Sequence, residues 1–140
     1  RFKMKIVVTL AILLLLTACQ NPSGNPELAS APYPMNLHVS NSVPIQVIRD
    51  GEFVKIVNST ADDYNNATLW VNQRFSGKLT PLLAGNTMRL NLWPFRDSFG
   101  EQFNAGGIWR TDDPTELVIA ELQIAEDVPL VGLVVIGQQD

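Results

Sequence analysis

The chain has 140 residues, with 10 Lys and Arg against 14 Asp and Glu and a formal charge of −4, room for one ordinary domain with a modest core. The acidic balance argues against nucleic acid as a partner, because phosphate binding needs clustered Lys and Arg. A single cysteine, Cys19, excludes an intrachain disulfide and a Cys-based metal site, so stability must come from the core.

Arg1, Lys3 and Lys5 precede an apolar run, Ile6 to Leu16, that ends in Leu16-Thr17-Ala18-Cys19. A basic start, a short apolar stretch and small residues before a cut are the parts of a secretory signal. The run is too short to span a bilayer, which takes about 20 apolar residues. The Leu-Thr-Ala-Cys ending resembles the lipobox of bacterial lipoproteins, over residues 4–19. The resemblance implies that Met4 is the natural start and that residues 1–18 are a removable signal peptide. It implies also that Cys19 is the lipid attachment site, with diacylglycerol on its sulfur and an acyl chain on its amine. An ordinary signal peptide with a chance cysteine is the alternative.

Stable attachment takes two or more lipid signals, each buried methylene contributing about 0.8 kcal/mol, and a multiply acylated Cys19 meets that requirement. The first partner is therefore the membrane. Gln20, rather than Asp, after the cysteine points by analogy with enterobacterial sorting to the outer membrane, facing the periplasm. Loss of Arg1, Lys3 and Lys5 leaves 7 basic against 14 acidic residues, a mature charge near −7.

Residues 19–36 read as the lipidated cysteine and a flexible tether, with Pro22, Pro26, Pro32 and Pro34 among Ser, Gly and Asn. Mostly extended, the stretch from Gln20 to Met35 reaches about 50 Å. The alternative is an ordered arm packed on the domain. Residues 37–140 form the folded domain. Val43 to Arg49 and Glu52 to Asn58, rich in Val and Ile, flank Asp50-Gly51, which fits a type I′ hairpin. Asp62 to Asn66 is a polar loop. Thr68 to Asn72 alternates, with Leu69 and Val71 on one face and Trp70 on the other. Ser76-Gly77 and Gly85-Asn86 read as turns bracketing Lys78 to Leu83. Thr87 to Trp93 places Met88, Leu90 and Leu92 on one face. Pro94 to Thr111 is a long loop carrying Phe95, Phe99, Phe103 and Trp109, and such loops are either functional or folded over a core end. Val128 to Ile136 suits a strand buried on both faces.

Residues 114–126 admit two readings. Asp113-Pro114-Thr115-Glu116 carries helix-start signals, whereas Val118, Ala120, Leu122 and Ile124 share one strand face. Strand is the preferred assignment. About seven short strands at intervals of roughly 8–12 residues predict an all-β fold, a small immunoglobulin-like antiparallel β-sandwich. The Cys–Trp–Cys pattern of antibody domains is absent, and fold alone assigns no function.

Chemistry is sparsely encoded. His38 is the sole histidine and no Gly-x-Ser-x-Gly elbow accompanies any serine; a half-exposed strand residue is the preferred reading. Met35, His38 and Met88 are a thin set for copper. Asp62, Asp63, Asn65 and Asn66 lack EF-hand spacing, and loops of Asp and Asn arise for turn reasons alone. No catalytic residue, metal or cofactor is therefore assigned. Asn58-Ser59-Thr60 and Asn66-Ala67-Thr68 match the glycosylation pattern but carry no weight in a bacterial lipoprotein.

The aromatics remain. Trp93, Phe95, Phe99, Phe103 and Trp109 are the candidate partner-binding residues, because exposed aromatics anchor protein partners or stack on sugars. The expected function is a non-enzymatic, membrane-anchored envelope lipoprotein whose domain binds an envelope protein. A module for peptidoglycan or another cell-wall glycan is the alternative.

Overall fold

The computed structural model describes residues 24–108 and 112–137. Cys19 and Trp109, both expected above as site residues, lie outside the described residues. The fold is all-β, with seven strands: β1 (Ser42–Asp50), β2 (Phe53–Asn58), β3 (Thr68–Val71), β4 (Phe75–Lys78), β5 (Thr87–Asn91), β6 (Ala120–Gln123) and β7 (Val131–Ile136). They form one sheet in the order β4-β3-β6-β7-β1-β2-β5. β1 is the spine. On one side stand β2 and β5, on the other β7, β6, β3 and β4. Strands one, two and five thus group together, as do three, six and seven, which is the immunoglobulin-like grouping.

Every pair is antiparallel except β1 with β7, a departure from the wholly antiparallel expectation. The parallel ladder also slips between Ser42 and Gln46. Pro44 lies in that interval and has no N–H to contribute to a ladder.

Period-two burial explains why these segments pair. Ile45, Val47 and Arg49 of β1 point inward, as do Val54, Ile56 and Asn58 of β2. Leu69, Val71, Phe75, Ala120, Leu122 and Leu133 come from the other flank and join them in one continuous core. Arg49 closes one end of that core. Its guanidinium donates to the carbonyls of Gly51, Ala105 and Thr115 and lies 5.3 Å from the Phe103 ring centroid.

The β1–β2 hairpin forms one residue later than expected. Asp50 pairs with Phe53, so the two loop residues are Gly51 and Glu52. Only Gly51 has positive φ, at 58°, the pattern of a type II′ turn rather than I′. At the β3–β4 turn Asn72 and Gln73 both take φ near 55°, and Arg74 N–H closes onto Val71 C=O at 3.1 Å. Asn tolerates that left-handed conformation better than most residues.

Ser76-Gly77 is not a turn but the middle of β4. A Cβ on Gly77 would lie 2.6 Å from the Phe95 ring, so this glycine makes room for an aromatic. Residues 113–119 form neither helix nor strand, and β6 begins only at Ala120. Asn72 holds that approach: its Oδ1 accepts from Val118 N–H at 2.8 Å and its Nδ2 donates to Glu116 C=O at 2.6 Å. β7 is less enclosed than expected, with Val134 39 % exposed.

Residues 24–36, read above as part of a free tether, lie against the domain. Asn25 N–H bonds Gly100 C=O at 3.2 Å, and Ser30 N–H bonds Asp97 C=O at 2.9 Å. Further on, Leu130 N–H bonds Leu37 C=O at 2.8 Å. Pro-rich composition predicts an extended backbone; here it is interrupted by two short 3-10 turns, Pro26–Leu28 and Met35–Leu37, and its backbone groups find partners on the loop at Asp97 and Gly100 and at Leu130, just before β7.

Candidate functional site

On β3 and β6 the residues between the core-facing ones are Trp70 and Glu121, directly paired in register. Both point away from the core, yet they are only 2 % and 1 % exposed. The arm covers them. The Tyr33 ring meets Trp70 edge-on, with centroids 5.5 Å apart and planes at 83°, a favourable aromatic geometry. Tyr33 Oη donates to Glu121 Oε2 at 2.6 Å, and His38 Nδ1 lies 2.6 Å from Oε1. An ionised Glu121 requires Nδ1 to carry its hydrogen. Trp70 Nε1 donates to Gln123 Oε1 at 2.8 Å. Burial, followed by the hydrogen bond and charge of Glu121, holds the Tyr33 phenol well above its ordinary pKa.

This cluster of arm and sheet has no sequence signature, because His38 and Glu121 are 83 residues apart. The one hint was Trp70, a large aromatic on the outer face of an alternating strand, which needs a cover. His38 is oriented by its carboxylate, but among the described residues no hydroxyl or thiol hydrogen-bonds its Nε2. The arrangement latches the arm.

Beside the latch a cleft of about 600 Å³ opens between the arm and β3–β4. Leu28, Trp70, Lys78, Arg96, Gln123 and Ile124 are among its lining residues. Leu28 and Ile124 are 51 % and 47 % exposed. Lys78 Nζ donates to Thr68 Oγ1 and Arg96 Nη1 to Gly100 C=O. Neither cation forms an ion pair among the described residues. Glu126 is the one carboxylate on the lining.

Among the described residues of the expected aromatic contact surface, two are core. Phe95 and Phe103 are 1 % and 0 % exposed. Phe95 packs over Gly77, and Phe103 meets Phe75 edge-on at 5.2 Å. The four-residue spacing of Phe95, Phe99 and Phe103 reflects no helix: Phe103 N–H bonds Phe95 C=O, and Arg96 bridges Gln102, so the loop doubles back like a hairpin. A buried aromatic side chain contributes more to the core than to a solvent-facing loop, which is why both turn inward. Trp93 is half-buried, with Nε1 donating to Glu52 Oε1 at 2.6 Å. Among the described aromatics of the loop, Phe99 is the one that projects, 74 % exposed.

Its loop is firmly held. The Asp97 carboxylate, fully buried, accepts from Phe99 N–H at 3.0 Å, from Glu101 N–H at 2.8 Å and from Arg74 Nε at 2.9 Å. Arg74 also pairs with Glu101. Burial acts to raise the Asp97 carboxyl, but Arg74 and the two backbone donors outweigh it and hold the group below its usual range. Arg96, inside the loop, does not pair with these acids among the described residues: its Nη1 donates to Gly100 C=O.

The polar loop is also structural. Asn58, fully buried, donates through Nδ2 to Asp62 and Leu83 carbonyls and accepts from Thr60, while Asp63 Oδ1 accepts from Ala84 N–H. A buried Asn58 is no glycan acceptor. Among the described residues no three metal-ligating side chains converge. No protein-family model, no curated protein and no solved structure matches this chain.

Proposed function

We propose that the protein is a lipid-anchored envelope lipoprotein, fastened through Cys19, whose β-sandwich domain performs no reaction and captures a protein partner in the cleft between arm and sheet. The cleft is the observation that carries this reading. It combines exposed apolar rims at Leu28 and Ile124 with two cations, Lys78 and Arg96, that form no ion pair among the described residues, in a chain whose mature charge is near −7. Apolar anchors with a polar surround are what recognition surfaces use. A glycan platform would need flat exposed aromatics, and the enclosure of Trp70 and the tie of Trp93 to Glu52 favour the protein partner instead.

A photo-crosslinking residue at Ile124 in the native host tests the assignment, with one at Lys55, exposed on β2, as control. A discrete adduct from Ile124 that Lys78→Glu with Arg96→Glu abolishes supports it. Identical adducts from both positions would refute it. For the anchor, Cys19→Ser should move the protein from the membrane to the soluble fraction.

A further inference from the structure

We infer that the loop Asp97–Glu101 docks the domain onto the bilayer that holds Cys19, with Phe99 seated in the lipid interface. The inference rests on the anchor reading above, and its new content is the orientation of the domain. A free tether from Gln20 to Met35 would allow a reach of about 50 Å. The arm removes most of that length. Asn25 is already bonded to Gly100, and the fit there is close: Gly100 takes φ 78°, and a Cβ on it would fall 1.8 Å from Asn25 O. Gly24 is also tightly placed, its own Cβ position lying 2.6 Å from Phe99 O.

Only the five peptide links between Cys19 and Gly24 then remain between the lipid and the loop, a span of at most about 18 Å. The loop is therefore held within about 18 Å of the lipid. At that point of the surface the chain presents Phe99, 74 % exposed, on a turn fixed by Asp97 and Arg74. Apolar and aromatic side chains at this depth partition into the boundary between headgroups and acyl chains. Glu27 is exposed on the same stretch of arm, and the mature charge is near −7, so the contact suits zwitterionic lipid and owes nothing to basic residues.

The test uses the mature lipoprotein with its acyl chains, reconstituted in phosphatidylethanolamine–phosphatidylcholine vesicles. Cys19 is lipid-blocked, so Phe99→Cys supplies the only free thiol for an environment-sensitive fluorophore. Its emission should shift to the blue and be quenched by doxyl-labelled lipid, while a label at Lys55→Cys on the opposite flank stays unquenched. Ser98→Cys repeats the measurement with Phe99 intact, and adding Phe99→Ser to it should weaken the quenching. No shift at residue 99 or 98, equal quenching at residue 55, or indifference to Phe99→Ser would each overturn the inference. Intact mass separates the two readings: an unmodified Cys19 removes the anchor itself, whereas a lipidated Cys19 with a dry label removes only the docking.

Discussion

The contact between Gly77 and Phe95 decides whether the aromatic loop is core or recognition surface, and its energy is calculable. An ideal Cβ on Gly77 lies 2.6 Å from two ring carbons of Phe95, well inside van der Waals contact. The ring is 1 % exposed and has nowhere to swing. Gly77→Ala therefore overpacks the site, at a cost of about 1–3 kcal/mol, against which alanine recovers about 0.4–1 kcal/mol by restricting the unfolded chain. Phe95→Ala removes the ring and leaves a cavity, at a cost of about 3–5 kcal/mol. In a domain of this length that lowers the thermal midpoint by roughly 10–25 °C. In the double variant the Gly77 methyl enters vacated space. Its cost should vanish or reverse, a coupling of about 1–2 kcal/mol. Urea unfolding of the soluble Cys19→Ser protein, followed by tryptophan fluorescence with the m-value checked for constancy, measures all four corners of the cycle. Costs that add within about 0.5 kcal/mol would mean that methyl and ring do not meet, and the burial argument for the loop would fail.

Three further outcomes follow from the same geometry. Tyr33 holds its proton more tightly when folded, so its contribution is complete below the unfolded phenol value near 10 and is lost as pH rises beyond it; the alkaline fall of the thermal midpoint should flatten in Tyr33→Phe. Asp97 is the opposite case: its depressed carboxyl contributes above the unfolded value of 3.8 and loses that contribution as pH falls. Arg74→Ala should bring acid unfolding to higher pH, with a loss near neutrality at the low end of about 1–3 kcal/mol because Arg74 is itself 51 % exposed. Asn72→Ala removes the bonds to Glu116 and Val118 and forces alanine to φ 55°, and equilibrium unfolding should register about 1–3 kcal/mol. Asn72→Asp, which keeps the acceptor oxygen, should recover part of that loss.

Local chemistry was enough for much of the scaffold. β-branched runs around a Gly turn specified β1 and β2, and strict alternation specified β5 and the inward set of Met88, Leu90 and Leu92, because strand pleat and burial share a period of two. Strand count and spacing carried the all-β architecture. Two local signals misled. Gly77 reads as a turn residue when taken alone, but its reason for being glycine is Phe95, eighteen positions later. The Asp50-Gly51 pair located the hairpin, but the ladder between β1 and β2 set its register one residue on.

The tertiary structure alone decided what lies beneath the arm and what the aromatic loop is for. Glu121 is an ordinary acidic residue until Tyr33 and His38 close over it, and Asp97 is an ordinary loop residue until Arg74 reaches it from the β3–β4 turn. Such partnerships leave no periodicity behind, since nothing in the spacing of residues distant along the chain records which of them will meet. Burial of Phe95 and Phe103 was likewise undetermined by composition, because the same aromatic types serve cores and surfaces, and only the packing of β4 against the returning loop distinguishes the two. The Pro-rich arm is the clearest instance: its composition suits a tether, and whether that backbone is a leash or a clasp depends on the hydrogen bonds that the domain's loops and Glu121 offer it.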